Sequence, residues 1–187
     1  AKKCRLYNKL MEILFDKIII YILKYKVHVS INLDYIDILN PYIKKTLLKK
    51  IKDNKIGSYL TLEILESEKV SNFELVNKFI NETKQYGVKI AIDDFGTGFS
   101  NYENILNLDI NYIKIDGSLI RKIDETIYLN LIKSIVSFSK EQNIKVVAEF
   151  VSDLKILRYV KSVGIDYSQG YQIGKPMHIN DIIKGNK

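Results

Sequence analysis

The chain has 187 residues, 47% hydrophobic and 27% charged, with a net charge of +7 and one cysteine. That length suffices for one domain with a sizeable core, and the composition excludes a disordered polymer. Cys4 alone excludes an internal disulfide framework, and no Cys/His cluster offers a zinc site. The thirteen tyrosines are dispersed and not interleaved with a basic stripe, so a reader of nucleic-acid polymers is not expected. The surplus of lysine suits a solvated surface and favours a phosphate-bearing ligand. Phe15 to Leu23 is apolar but is interrupted by Asp16 and Lys17, too short a run for a membrane span. No signal-peptide pattern occurs. The expected location is cytoplasmic, whether or not a longer parent protein is membrane-anchored.

In chain order, Leu6, Leu10, Ile13, Leu14, Ile18 and Tyr21 recur at helical spacing and predict a helix over 5–25. Val27, Val29, Ile31 and Leu33 alternate, which predicts a strand with Asn32 near its end. Pro41 opens a helix to about Asp53, and Gly57 breaks it. Tyr59 to Glu66 reads as a strand and its exit loop. Ser71-Asn72-Phe73-Glu74 has capping-box spacing, so a helix starts there, and Gly87 closes it. Lys89 to Asp94 is a strand running into Phe95-Gly96-Thr97-Gly98-Phe99-Ser100, with a short helix near 99–107. Ile110 to Asp116 is a strand stopped by Gly117, and a long helix follows over 125–142. Lys145 to Glu149 is a strand, Asp153 to Val163 a helix closed by Gly164, and Ile165 to Gly170 a last strand. Asn180 is placed to cap a final turn.

Strand and helix alternate throughout, without a linker or a low-complexity tract, which implies parallel strands in a single domain over 1–187. A doubly wound open sheet and a (β/α) barrel both fit. The polar residues favour the barrel. Asn32, Glu63, Asp93 with Asp94, Lys114, Glu149 and Gln169 stand at successive strand ends, at intervals of 31, 30, 20, 35 and 20 residues. Six strands presenting polar groups at the same end converge only at a barrel mouth. Six is two short of eight, so the expected architecture is α/β, a TIM-like barrel incomplete at its N-terminus.

Two adjacent carboxylates at a strand end have an ordinary alternative, the cap of the next helix. The company they keep points elsewhere. Carboxylates, one amide and one lysine form a hard-oxygen set suited to Mg²⁺, Mn²⁺ or Ca²⁺. Asp93 can bridge two ions, Asp94 can hold one, and Glu63 and Asn32 approach from neighbouring strands. Ions so placed bind a phosphodiester and activate water. Lys114 is a candidate to orient that water, and its alternative is an interior ion pair. Glu149 is a candidate second-ion ligand or general base, and its alternative is to be the partner of Lys114. Gln169 is a candidate to hydrogen-bond water or ligand. Glu66 is placed to brace the loop after Asp93. His28 and His178 are expected to be structural or solvent-facing.

The chain resembles the EAL-domain family of bacterial phosphodiesterases acting on cyclic di-GMP. The resemblance rests on Val29-Ser30-Ile31-Asn32-Leu33, Glu63-Ile64-Leu65-Glu66, Asp93-Asp94-Phe95-Gly96-Thr97-Gly98-Phe99-Ser100, Tyr112-Ile113-Lys114-Ile115-Asp116, Val146-Val147-Ala148-Glu149, Gln169-Gly170-Tyr171 and Lys175-Pro176. It implies a TIM-like barrel that opens cyclic di-GMP to linear pGpG with one or two Mg²⁺ or Mn²⁺ ions. By position, it implies metal ligation by Asn32, Glu63, Asp93 and Asp94. Lys114 then orients water, Glu149 is second-metal ligand or base, Gln169 lies in the active site and Glu66 braces the loop. A homodimer, and an upstream sensory or GGDEF domain in a longer parent protein, are further expectations. The Glu-Ala-Leu motif of the family, with the arginine that follows it, does not occur in these residues, and Phe150 and Ser152 stand where the family usually has glycine and glutamate. These departures imply weak or no hydrolysis by this chain. They also keep open a catalytically degenerate module that binds cyclic di-GMP or a protein partner.

Overall fold

The computed structural model describes residues 5–65, 73–96 and 102–185. The chain divides into two compact units, 1–113 and 114–187. The first contains α1 (Arg5–Tyr25), β1 (Val29–Leu33), α2 (Tyr35–Leu39), α3 (Pro41–Asn54), a single 3₁₀ turn at Gly57–Tyr59, β2 (Leu60–Leu65), α4 (Phe73–Lys84), β3 (Lys89–Phe95) and α5 (Tyr102–Leu106). The boundary falls inside β4 (Tyr112–Ile115). The second unit continues with α6 (Gly117–Ile120), α7 (Thr126–Glu141), β5 (Lys145–Ala148), α8 (Leu154–Ser162), β6 (Tyr167–Ser168) and α9 (Ile179–Gly185).

In the first unit β1, β2 and β3 pair in parallel and in chain order. Each needs a crossover, which α2 with α3 and then α4 provide. Alternation divides the sheet into two faces. Ile31, Leu33, Leu60, Leu62, Ile64, Ile90 and Ile92 are buried on one. Phe15, Ile19, Ile31, Leu47, Ile51 and Leu60 close on a void of only about 10 Å³, no larger than a single water needs. Thr83, buried in α4, satisfies its hydroxyl by donating to the Phe79 and Ile80 carbonyl oxygens at 3.1 and 2.9 Å.

The expected helix over 5–25 is present, but its buried stripe is Met11, Phe15, Ile19 and Ile22, while Leu6, Leu10, Ile13 and Leu14 are exposed. The helix is apolar on more than one side, so spacing alone does not select the core face. Polar contacts select it instead. Asn40 donates from Nδ2 to Asn8 Oδ1 at 3.0 Å, Tyr42 from its hydroxyl to Glu12 at 2.9 Å, and Lys50 pairs with Asp16.

Helix α2 lies where no helix was expected. Its signal is Asp34 and Asp37 at capping-box spacing: the Asp34 N–H donates to Asp37 Oδ2 at 3.1 Å. The same oxygen accepts from the Tyr7 hydroxyl at 3.0 Å. Asn40 then caps α3 by accepting from the Tyr42 and Ile43 N–H groups, with Pro41 at the first turn as expected. Ser71 and Asn72 lie outside the described residues. Gly87, at φ +83°, closes the helix that follows them, as expected.

In the second unit, Val146 and Ala148 of β5 are fully buried, with Ile132, Ile135 and Val136 of α7 and Ile156 and Val160 of α8 also in the core. Gly117 does not simply stop a strand. It opens α6, capped by Asp116, whose side chain accepts from the Ser118 N–H at 2.7 Å. Asp153 caps α8 by accepting from the Ile156 N–H at 2.9 Å, and Gly164 follows that helix at φ +80°. At α9 the cap is not Asn180. His178 Nδ1 accepts from the Asn180 N–H at 3.2 Å, which accounts for that histidine.

Two outcomes follow from this packing. Leu62→Ala is expected to cost about 2–5 kcal/mol in denaturant unfolding, because Leu62 is fully buried between neighbouring strands. The Tyr7 phenol is raised from 10.0 to about 12, first by burial and then by its hydrogen bond to Asp37. Its contribution is therefore complete below pH 10 and is lost as pH rises through about 12. Denaturant midpoints of Tyr7→Phe should fall less steeply than those of the native chain over that window. Equal slopes would contradict the assignment.

Candidate active site

The opposite face of the first unit's sheet is polar, and register decides what meets there. Ser30 pairs with Thr61 and Thr61 with Lys89; one layer on, Asn32 pairs with Glu63 and Glu63 with Ala91; beyond that, Leu65 pairs with Asp93. Residues two apart share a face, so Asn32, Glu63 and Asp93 stand together at the C-terminal ends of three adjacent parallel strands. Adjacent strands lie about 4.8 Å apart, and two residues advance about 6.6 Å. Ala91 adds little bulk between Glu63 and Asp93.

Asp93 is 7% exposed, Glu63 half-buried and Asn32 exposed. The Asp94 N–H donates to Asp93 Oδ1 at 3.1 Å. Asp94 has φ +57° and Gly96 φ +99°. A left-handed residue interrupts strand alternation, so Asp94 is released from the face opposite Asp93. One carboxylate oxygen of each lies within 4.8 Å of the other. Aspartate tolerates this backbone region better than most residues do. Two carboxylates held this close repel each other, and a divalent cation relieves that repulsion. The donor set is all oxygen and fits Mg²⁺ or Mn²⁺ rather than zinc.

The second unit assembles the remaining candidates. Lys114 Nζ lies 2.9 Å from Glu149 Oε1, and both side chains are nine-tenths buried. Gln169 Nε2 donates to the same Glu149 oxygen at 3.4 Å. The backbone holds this group rigidly. The Glu149 N–H donates to the Ile115 carbonyl at 3.2 Å, the Gln169 N–H to Ala148 at 2.8 Å, and the Val151 N–H to the Gln169 carbonyl at 3.0 Å. Lys114, Glu149 and Gln169 are thus brought together, and the interior ion pair weighed for Lys114 is present. Glu66 and residues 97–101 lie outside the described residues. His28 packs its ring on Tyr59, 5.3 Å between centroids.

Phe150 and Arg121 were not among the expected site residues. Phe150 takes φ +52°, a region that costs a bulky side chain about 1–2 kcal/mol. Its ring lies against Gly117, where an added Cβ would sit 2.3 Å from Cδ2. The Arg121 guanidinium lies 5.3 Å from the ring centroid. Burial raises the Asp116 carboxyl, but hydrogen bonds from Ser118 and Gly117 together with the Arg121 charge outweigh it, and the group sits below its ordinary value.

The chain matches a known class of domain. The family model for the EAL domain matches residues 1–176, and the chain belongs to the EAL-domain family. It is 42% identical over 118 residues to the cyclic di-GMP phosphodiesterase PdeA of Borreliella burgdorferi, covering 63% of this chain and 18% of that protein. It is 35% identical over 154 residues to the probable cyclic di-GMP phosphodiesterase PdeA of Escherichia coli, covering 81% of this chain and 21% of that protein. The chain spans roughly a fifth of the length of these curated relatives. Among solved structures, it is similar to the PaMucR phosphodiesterase in complex with c-di-GMP, at TM-score 0.82 and 21% identity, covering 95% of this chain and 79% of that one. It is also similar to an EAL domain protein from Listeria monocytogenes, at TM-score 0.83 and 25% identity, covering 94% and 71%. The fold class is accordingly α/β and TIM-like, as the polar strand ends and the family resemblance lead one to expect. Among the described residues, no helix is long and apolar enough to cross a membrane.

The buried pair gives a direct prediction. Lys114→Met or Glu149→Leu alone should destabilise the fold by about 3–5 kcal/mol, since each strands a buried charged group. The double variant Lys114→Met/Glu149→Leu should regain most of that loss. Additive losses in denaturant melts would mean that the two groups do not act as a pair.

Proposed function

We propose that this chain is a metal-dependent phosphodiesterase domain that hydrolyses cyclic di-GMP to linear pGpG. The observation that carries this reading is the shared face of Asn32, Glu63 and Asp93, with Asp94 turned beside it. Membership of the EAL-domain family and relatives named as cyclic di-GMP phosphodiesterases supply the substrate. In this reading Asn32, Glu63, Asp93 and Asp94 hold Mg²⁺ or Mn²⁺. The ion supplies Lewis acidity and an acidified water.

Lys114 pairs with Glu149, and Gln169 donates to the same carboxylate oxygen, which orients it. Glu149 then takes the proton of the attacking water, with Lys114 donating to that water or to a phosphate oxygen. The water oxygen bonds to phosphorus, the bond from phosphorus to the 3′ oxygen breaks, and that oxygen leaves as a hydroxyl by taking a proton from solvent, while the proton held by Glu149 returns to solvent. The product is a linear dinucleotide with a 5′-phosphate. Residues 1–187 contain no Glu-Ala-Leu, so weak turnover by these residues alone belongs to the proposal.

A second reading, a module that binds cyclic di-GMP without cleaving it, is favoured by Phe150 and by Lys114 being committed to Glu149. Chromatography of cyclic di-GMP incubated with the chain and Mn²⁺ separates the two. The first reading expects pGpG that disappears on chelation and falls by about 100-fold or more in Asp93→Asn, beyond what loss of a metal's outer partners costs. Tight nucleotide binding with no metal-dependent product would establish the second reading instead.

A further inference from the structure

We propose that α1 and α3 form a basic and apolar face that docks on an anionic lipid surface. The charge is the first observation. Helix α1 has four basic and two acidic residues and α3 has five and one, so these two helices hold +6 of the chain's net +7. Charge spread over a whole surface serves solubility, whereas charge gathered on two packed helices makes a field with a direction. The Tyr42 hydroxyl on Glu12 and the Lys50–Asp16 pair fix the helices side by side, and these contacts occupy both carboxylates of α1. Lys45, Lys49 and Lys52 are exposed on the side of α3 turned away from buried Ile43, Leu47 and Ile51. Among the described residues they form no ion pair with a carboxylate.

Charge alone would suit any anion, and the apolar residues narrow the choice. On α1, Leu6, Leu10, Ile13 and Ile20 are 73, 55, 45 and 60% exposed. With Lys17 and Lys24 they follow one another at alternating steps of four and three residues, which places them on the side of the helix opposite its buried stripe. Ile20 and exposed Leu23 border a groove of about 820 Å³ between the helices, which Tyr42, Lys45 and Lys49 of α3 also line. A neighbouring groove of about 550 Å³ shares Lys45 and Lys49 and adds Lys52. The aliphatic ridge and the lysine ridge are therefore parts of one surface. A second copy of the chain would bring the same +6 against it and be repelled. Protein interfaces are enriched in arginine and depleted in lysine, and these helices hold eight lysines and one arginine. A lipid headgroup layer suits that composition. Aliphatic side chains enter the acyl boundary, and lysine stems lie along apolar surface while the ammonium groups stay among the phosphates. Neither helix is long and apolar enough to cross a membrane, so the contact is with the membrane surface.

The test is flotation of the full chain with vesicles of phosphatidylcholine alone and of phosphatidylcholine with about one-third phosphatidylserine. The native chain should float with the anionic vesicles and not with the neutral ones, and about 0.5 M salt should release it. Lys45→Gln/Lys49→Gln/Lys52→Gln should weaken binding about a hundredfold, at about fivefold for each lysine. Ile13→Ser/Ile20→Ser should weaken it about tenfold or more by removing the apolar contact. Both variants change exposed side chains only, so their melting temperatures should match that of the native chain. Neutralising three exposed lysines elsewhere, Lys78→Gln/Lys133→Gln/Lys161→Gln, should leave binding almost unchanged. The proposal is overturned if the native chain does not float with anionic vesicles, if it floats equally with neutral ones, or if the two triple variants lose binding equally. Capture by immobilised polyglutamate without vesicle binding would overturn it in favour of an acidic protein partner.

Discussion

The parallel register of β1, β2 and β3 is the constraint on which the candidate site depends. Pairing Asn32 with Glu63, and Glu63 with Ala91, leaves Asp93 one layer further along the same face. A slip of one residue in β2 would send Glu63 into the apolar layer and Leu62 out of it. Burying an unpaired carboxylate costs several kcal/mol. The hydrophobic layer formed by Leu60, Leu62 and Ile64 therefore positions the acids as firmly as it stabilises the sheet. Core and site are two faces of one alternation.

The second unit solves a different problem. Lys114 and Glu149 are both buried, and neither is tolerable without the other. Their ion pair adds little net stability over an apolar pair of the same size. What it secures is the orientation of a carboxylate at the end of β5, with the Gln169 amide on the same oxygen. The left-handed Phe150 is the backbone consequence of ending the strand there.

Much of this was legible in the amino-acid order. Single polar residues closing otherwise apolar alternating runs mark Asn32, Glu63, Asp93, Lys114 and Glu149 without any structure, because period-two patterns expose the exception. The helix over 5–25 was legible, but its inward face was not, since Leu10 and Leu14 are as apolar as Met11 and Phe15. Only the polar contacts of Asn8, Glu12 and Asp16 break that tie. Helix α2 hid because five residues cannot show a helical period, although Asp34 and Asp37 carried the cap signal. The choice of Glu149 as the partner of Lys114 was one of two readings that spacing left open. The Arg121–Phe150 contact had no local signature, because it joins residues separated by a helix and a strand.

The account stands or falls on whether the β1–β3 face holds a divalent cation. Electron paramagnetic resonance of Mn²⁺ titrated with the native chain, Asn32→Ala, Glu63→Gln and Asp93→Asn measures this directly, since bound Mn²⁺ loses the sharp signal of the free ion. The account predicts binding by the native chain that weakens in all three variants and most in Asp93→Asn. Mn²⁺ bound equally by the native chain and every variant would contradict it.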